Sequence, residues 1–226
     1  MHDIYSNEIT EQFLKRFCDL DMIKKDPKYT KFCVAYEKRI KSLTQIRNLA
    51  THESKEGGRP FLISKFVLSD LEDILFRAQT KCFDVGTRKS NIIYVKKEDS
   101  LDCAIRLMVK NNYSFLPILD NDFKILGVIS EKSIVNIINK YNGEFIYDKT
   151  IKVEDNLDEF LIGSNPDECY LFVAKSELLD NIRKYINYGK GGKRFGACFV
   201  TENGKERESL ISMFTIWDVI ALDARQ

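Results

Sequence analysis

Two short stretches hold side chains able to do chemistry. The first is Ile46-Arg47-Asn48-Leu49-Ala50-Thr51-His52-Glu53. The chain has only two histidines, and His2 sits at the terminus, so His52 is the one credible general acid or base. Arg47 and Asn48 add a cation and an amide to the same stretch. The second is Thr215-Ile216-Trp217-Asp218, a hydroxyl and then a carboxylate three residues on, at the start of a helical pattern. Each has a plain structural alternative. Thr215 and Asp218 make an ordinary helix N-cap pair. Arg47 and His52 suit the last carbonyls and the macrodipole of a helix end. Other chemistries lack their residues. The six cysteines, at 18, 33, 82, 103, 169 and 198, form no C-x-x-C and no Cys/His cluster, so no metal site is expected. The run from Tyr188 to Arg194, Tyr-Gly-Lys-Gly-Gly-Lys-Arg, lacks the spacing of a phosphate-binding loop and reads as a flexible solvated loop. Nucleophile elbows and dinucleotide fingerprints are absent from the sequence.

Composition bounds what must position these residues. The chain has 226 residues, 44% hydrophobic and 31% charged, which is ordinary for a folded domain or two. Thirty-five Lys and Arg against 34 Asp and Glu leave a net charge of +1, so no global field recruits nucleic acid or membrane. The longest apolar run, Cys169–Ala174, falls far short of the roughly 20 residues a spanning helix needs. The N-terminus has no basic start followed by an apolar stretch, so no signal peptide is expected. Scattered cysteines on apolar stretches fit reduced thiols, and the expected location is the cytoplasm.

The first 80 residues read as helices. Ile9–Lys25 carries Phe13, Leu14, Phe17 and Leu20 on one face, and Asp26-Pro27 breaks it. A second helix is expected from Lys28 to about Thr51. A third, capped near Ser64, is expected through Gln79 with Phe66, Leu68, Leu71, Ile74 and Leu75 as its apolar positions. Beyond residue 86 the pattern changes to strand (Ile92–Val95), helix (Ser100–Lys110), strand (Phe115–Leu119), strand (Ile125–Ile129) and helix (Glu131–Tyr141). The same order recurs in Tyr170–Val173, Glu177–Tyr188, Ala197–Thr201, Leu210–Phe214 and Ile216–Asp223. Val95, Lys97, Leu101 and Asp102 match Val173, Lys175, Leu179 and Asp180 at a constant spacing of 78 residues.

This repeat resembles a tandem pair of CBS domains over about residues 88–225. Leu116-Pro117-Ile118-Leu119-Asp120 is similar to the family's central strand and turn. Gly127-Val128-Ile129-Ser130 resembles its third strand, and Phe214-Thr215-Ile216-Trp217-Asp218 its nucleotide signature. The resemblance implies a regulatory module whose clefts bind adenosine-containing ligands such as AMP, ADP or ATP, as effectors rather than required cofactors. It implies that Thr215 touches phosphate or ribose and that Asp218 accepts hydrogen bonds from ribose hydroxyls. Ser130 keeps the hydroxyl in the first copy, with Ser133 in place of the acid. Ser114-Phe115 and Gly196-Ala197, before the two central strands, would flank an adenine in the two sites.

The stretch from Arg47 to His52 resembles the signature of HEPN domains, an Arg, a polar residue and a His within a few positions, over about residues 8–80. Active members are metal-independent endoribonucleases. The resemblance implies that His52 moves a proton, Arg47 holds the phosphate and Asn48 orients one of them. It also implies a homodimer, with two copies of the motif in one cleft, and RNA as a partner. Eight basic residues against three acidic ones between Lys28 and Arg59 agree with a polyanion. The expected architecture is α+β: a small helical HEPN-like domain at 1–82, then CBS domains at 88–145 and 146–226. The alternative function is a non-catalytic nucleotide-binding dimerisation module or scaffold.

Overall fold

Helix-start residues and apolar stripes set the elements of the first unit. The computed structural model describes residues 5–51, 61–141 and 150–224. It divides into two units, Met1–Thr80 with Leu178–Asn181, and Lys81–Glu177 with Ile182–Gln226. In the first, Ser6 caps helix α1 (Asn7–Lys25), its hydroxyl accepting from the Ile9 N–H. Helices α2 (Thr30–Ala35), α3 (Glu37–Thr51) and α4 (Lys65–Gln79) follow, the last capped by Ser64. Phe13, Phe17, Leu20, Leu43, Leu71 and Ile74 are fully buried among them. Arg39 on α3 pairs with Asp70 and Asp73 on α4.

The single helix expected from Lys28 to about Thr51 is divided. A 3-10 turn fills Pro27–Tyr29, and Tyr36, at φ −106° and ψ 17°, separates α2 from α3. The Tyr36 N–H still reaches the Phe32 carbonyl, and the Ile40 N–H the Tyr36 carbonyl, both at 3.0 Å. The helical spacing of Phe32, Tyr36 and Ile40 therefore survives the break, and periodicity alone cannot register it. Phe66, expected on the buried face of α4, is 76% exposed. It lies two residues, about 200°, from the stripe of Leu68, Leu71, Leu75 and Ala78.

Thr10 ties α1 to the segment leading into α4. Its buried hydroxyl donates to the Ser6 carbonyl and accepts from the Ile63 N–H, both at 2.9 Å. Thr10→Val keeps the shape and leaves that N–H unpaired. A loss of about 1–3 kcal/mol in urea unfolding is expected. Thr10→Ser should lose much less; equal losses for both would show that the hydrogen bond is not the cause.

The second unit contains α5 (Cys82–Val85), β1 (Thr87–Arg88), α6 (Leu101–Asn111), β2 (Phe115–Leu119), β3 (Ile125–Ser130) and α7 (Glu131–Lys140). It continues with α8 (Leu157–Phe160), β4 (Glu168–Ala174), α9 (Leu179–Tyr188, of which the part from Ile182 belongs to this unit), β5 (Arg194–Thr201), β6 (Ser212–Phe214) and α10 (Ile216–Asp223). One sheet has the order β1-β6-β5-β4, with β4 and β5 parallel and the other pairs antiparallel. A second pairs β2 with β3 antiparallel. The strand expected at Ile92–Val95 is not formed. Only Val95 bridges β2, in parallel with Ile118. The Val95 N–H bonds the Pro117 carbonyl at 3.1 Å and the Leu119 N–H bonds the Val95 carbonyl at 2.9 Å. The next ladder bond would need an N–H on Pro117, which has none. The second copy meets no proline there, and β4 and β5 pair over seven residues.

The short β1 and α8 escape sequence patterning because neither is long enough to show a period. A Cβ at Gly127 would meet the Phe160 carbonyl oxygen at 2.4 Å, so a bare glycine lets α8 lie on β3. The loop at 189–194 is solvated, with Lys190, Gly191 and Gly192 exposed. It is a closed turn with Lys190 and Lys193 bridged, and with Gly189, Gly191 and Gly192 at φ of 70°, 62° and 79°.

The turn before β6 stores a pH-dependent contact. The Asn203 side-chain amide and backbone N–H both donate to Glu208, and they hold its carboxyl down to about 2. A depressed carboxyl stabilises above its ordinary pKa and loses that contribution as pH falls through the folded value. Glu208→Gln should therefore weaken the acid dependence of unfolding between pH 4.5 and about 2. Identical urea midpoints for both proteins across that range would contradict this.

Candidate functional site

Three turns bring the second stretch of candidate residues to one place. Helix α6 ends at Asn112 in the left-handed conformation, at φ 55° and ψ 46°, which Asn tolerates better than most residues. The chain then enters β2 through Tyr113 and Ser114. Thr87 on β1 pairs with Met213 on β6 and so lies beside the β6–α10 junction. That junction carries Thr215, the N-cap of α10, and Asp218 one turn on. These segments enclose a cavity of about 570 Å³, within the range of small-molecule sites. Ile92, Ile93, Phe115, Met213 and Phe214 give it apolar walls; Ser114, Thr215, Trp217 and Asp218 also face it.

The cap role of Thr215 and Asp218 uses one of the two Asp218 carboxylate oxygens. The Thr215 N–H and hydroxyl donate to Asp218 Oδ2 at 2.7 and 3.1 Å, which is the helix-cap role. The other carboxylate oxygen, Oδ1, takes no hydrogen bond from the described residues. A carboxylate with one oxygen fixed and one open can accept further donors without losing its orientation. The Thr215 hydroxyl is turned to Asp218, not held free for a phosphate.

Ser114 joins Thr215 and Asp218, whereas Ser130, Gly196 and Ala197 do not line this cavity. They meet around Tyr170. At the repeat spacing of 78 residues, Tyr170 is the counterpart of Ile92. A Cβ at Gly196 would meet the Tyr170 ring at 2.7 Å. Ala197 is the cross-strand partner of Tyr170, and the Ser130 hydroxyl interacts with its phenol. Tyr170 donates to Glu168 at 2.9 Å, and Asn165 and Arg194 bind the same buried carboxylate. Burial first, then the Glu168 charge, push the phenol far above its ordinary pKa. Ser130 and Ser133 also close on each other, backbone to hydroxyl, at 2.8 and 3.1 Å. Tyr170 thus packs where the repeat led to the expectation of a second adenine site. A tyrosine for an isoleucine at the repeat spacing was the sequence signal for it. Trp217, inside the motif, and Ile92 were also readable; Asn112 and Thr87 were not, since turns and a two-residue strand bring them in.

The first stretch looks different. The Arg47 guanidinium lies over the Phe17 ring at 5.1 Å and 3.8 Å from the Asp21 carboxylate. Asn48 is exposed. His52 lies outside the described residues, as does Glu53. Among the described residues no His, Cys, Asp or Glu group could hold a metal ion, and no helix is long and apolar enough to cross a membrane. All six cysteines are free thiols. Burial pushes Cys82 up to about 12 and Cys198 well above its ordinary value, which makes both unreactive.

Residues 84–140 match the CBS domain family. An uncharacterized protein of Methanocaldococcus jannaschii is 32% identical over 68 residues, 30% of this chain and 39% of that one. The carnitine transport ATP-binding protein OpuCA of Listeria monocytogenes is 24% identical over 89 residues, 39% of this chain and 22% of its own length. The chain thus matches well under half the length of either relative. Among solved structures, CBSX2 in complex with AMP is 23% identical, with a TM-score of 0.46 over 65% of this chain and 99% of that one. The CBS domain pair of protein MJ0100, in complex with 5′-methylthioadenosine and S-adenosyl-L-methionine, is 16% identical, with a TM-score of 0.45 over 65% of this chain and 97% of that one.

Proposed function

We propose that this chain is a cytoplasmic regulatory protein that senses an adenosine-containing ligand through a tandem CBS pair at 88–145 and 146–226, joined to a helical domain at 1–82. The observation that carries this reading is the open oxygen of Asp218 in a cleft with apolar walls. Ribose hydroxyls would bond Asp218 Oδ1, and the base would lie against the apolar walls with Ser114 as a polar neighbour. The CBS match over 84–140 and the internal repeat support the module. A ligand of this kind regulates only if it binds two arrangements of the protein unequally. With the repeat-related place filled by Tyr170, the expected stoichiometry is one ligand per chain. Equilibrium dialysis against labelled 5′-methylthioadenosine tests it: one equivalent supports the reading, and two, or none, contradict it.

For the helical domain we favour the non-catalytic alternative, a dimerising or docking unit, over an RNA-cleaving one. Arg47 is already engaged by Phe17 and Asp21, as a structural arginine would be. Labelled RNA incubated in EDTA with the wild-type chain and with His52→Ala should be cut equally little by both. Cleavage lost in the variant would restore the metal-independent ribonuclease and its paired motif.

A further inference from the structure

We infer that the Thr215/Asp218 cleft selects adenosine compounds with a neutral or cationic 5′ substituent, such as 5′-thionucleosides and their sulfonium derivatives, over adenosine di- and triphosphates. The inference rests on the nucleoside reading given above and narrows its ligand class.

The charges around the cleft carry it. Of the described side chains that line it, Asp218 is the one charged at neutral pH, and it is an anion. Three of the cations near it in sequence are committed elsewhere, and Lys110, two residues before Asn112, does not line it. Arg88, beside Thr87, stacks on the Phe83 ring at 3.4 Å and bonds Asp84 at 3.2 Å. Lys89 lies over the Phe123 ring at 4.5 Å and bonds the Ser209 hydroxyl at 3.1 Å. Lys96 bonds the Asn121 side chain at 2.9 Å. At the start of α10 the Thr215 N–H and hydroxyl are given to Asp218, which leaves a phosphate the backbone N–H groups of the first turn, beside that carboxylate. A polyphosphate would thus bring several negative charges beside a carboxylate and against apolar walls, with desolvation uncompensated by an ion pair. A thioether fits those walls, and a sulfonium adds attraction to the carboxylate.

Trp217 is the chain's single tryptophan and lines the cleft, so its emission reports binding there. Titrations of the full chain with 5′-methylthioadenosine, S-adenosylmethionine and ATP should give dissociation constants for the first two at least about tenfold below that for ATP. Thr87→Lys adds a cation at an exposed rim position. It should tighten ATP about tenfold relative to 5′-methylthioadenosine. ATP binding as tightly as 5′-methylthioadenosine to the wild type, or an unchanged ratio of the two constants in Thr87→Lys, would overturn the charge selection and leave the nucleoside reading standing. If no compound alters Trp217 emission and none is retained in dialysis, the nucleoside reading falls, and this inference with it.

Discussion

Asp218→Ala is expected to weaken binding of 5′-methylthioadenosine at least about a hundredfold. Two ribose hydroxyls bonded to an ionised acceptor contribute about 1.5–3 kcal/mol each, and about 1.4 kcal/mol is a factor of ten. The substitution also removes the acceptor of the Thr215 N–H and hydroxyl. Some of its effect will therefore appear as stability, about 1 kcal/mol for a lost cap. Asp218→Asn separates the two. It keeps one oxygen for the cap and sets an NH2 group where Oδ1 stood, so the ribose loses its ionised acceptor and binding should weaken roughly tenfold or more with little change in melting temperature. Calorimetric titration of all three proteins decides the matter. Equal affinities would leave Asp218 as a helix cap and nothing more.

The second large effect is expected at Tyr170. Its ring packs against Phe115 and Phe199, at centroid distances of 6.1 and 6.0 Å, and its phenol bonds the buried Glu168. Tyr170→Ala removes a partly buried aromatic ring and one of the donors to that carboxylate. Truncations of this class cost about 3–5 kcal/mol, which for a protein of this size lowers the melting temperature on the order of 10 °C. Tyr170→Phe keeps the ring and removes only the phenol, while Asn165 and Arg194 still bind Glu168. About 1–2 kcal/mol is expected there. Thermal unfolding that moves equally for both variants would mean that the hydrogen bond, rather than the filling of the place between Ser130 and Gly196, is what Tyr170 supplies.

Much of this architecture is legible in the residues because period and punctuation agree. Ser64, Ser100 and Ser130 each precede an apolar helical stripe, and each caps the helix that follows. Leu116 to Ile118 and Val128 to Ile129 are near-continuous apolar runs and become buried strands. Where sequence patterning fails, a backbone property invisible to hydropathy has intervened. Pro117 denies a ladder bond to the segment at Ile92–Val95. Tyr36 interrupts a helix without disturbing its stripe. Phe66 is apolar and lies off the buried face.

The candidate site was legible in half. Thr215 and Asp218 are readable through the resemblance of Phe214 to Asp218 to a nucleotide signature, and Ser114 because the same resemblance places it before a central strand. The symmetry of the repeat does not register one difference between its copies. It points to Ser130, Gly196 and Ala197 as a second site, where the structure packs Tyr170 with its phenol on Glu168 beside Asn165 and Arg194. Those four residues interact through the fold of β4 and β5 and the turn before them, which a motif does not encode. Asn112 and Tyr113 reach the cleft only because α6 stops in a left-handed residue.

The measurement that tests the central claim most directly is a crystal structure of the chain grown with 5′-methylthioadenosine. The account predicts one ligand per chain, with its ribose hydroxyls on Asp218 Oδ1, its base against Ile92, Ile93 or Phe115, and Tyr170 unmoved over Gly196. A ligand bound beside Ser130 with Tyr170 displaced, or a ribose that makes no contact with Asp218, would contradict it.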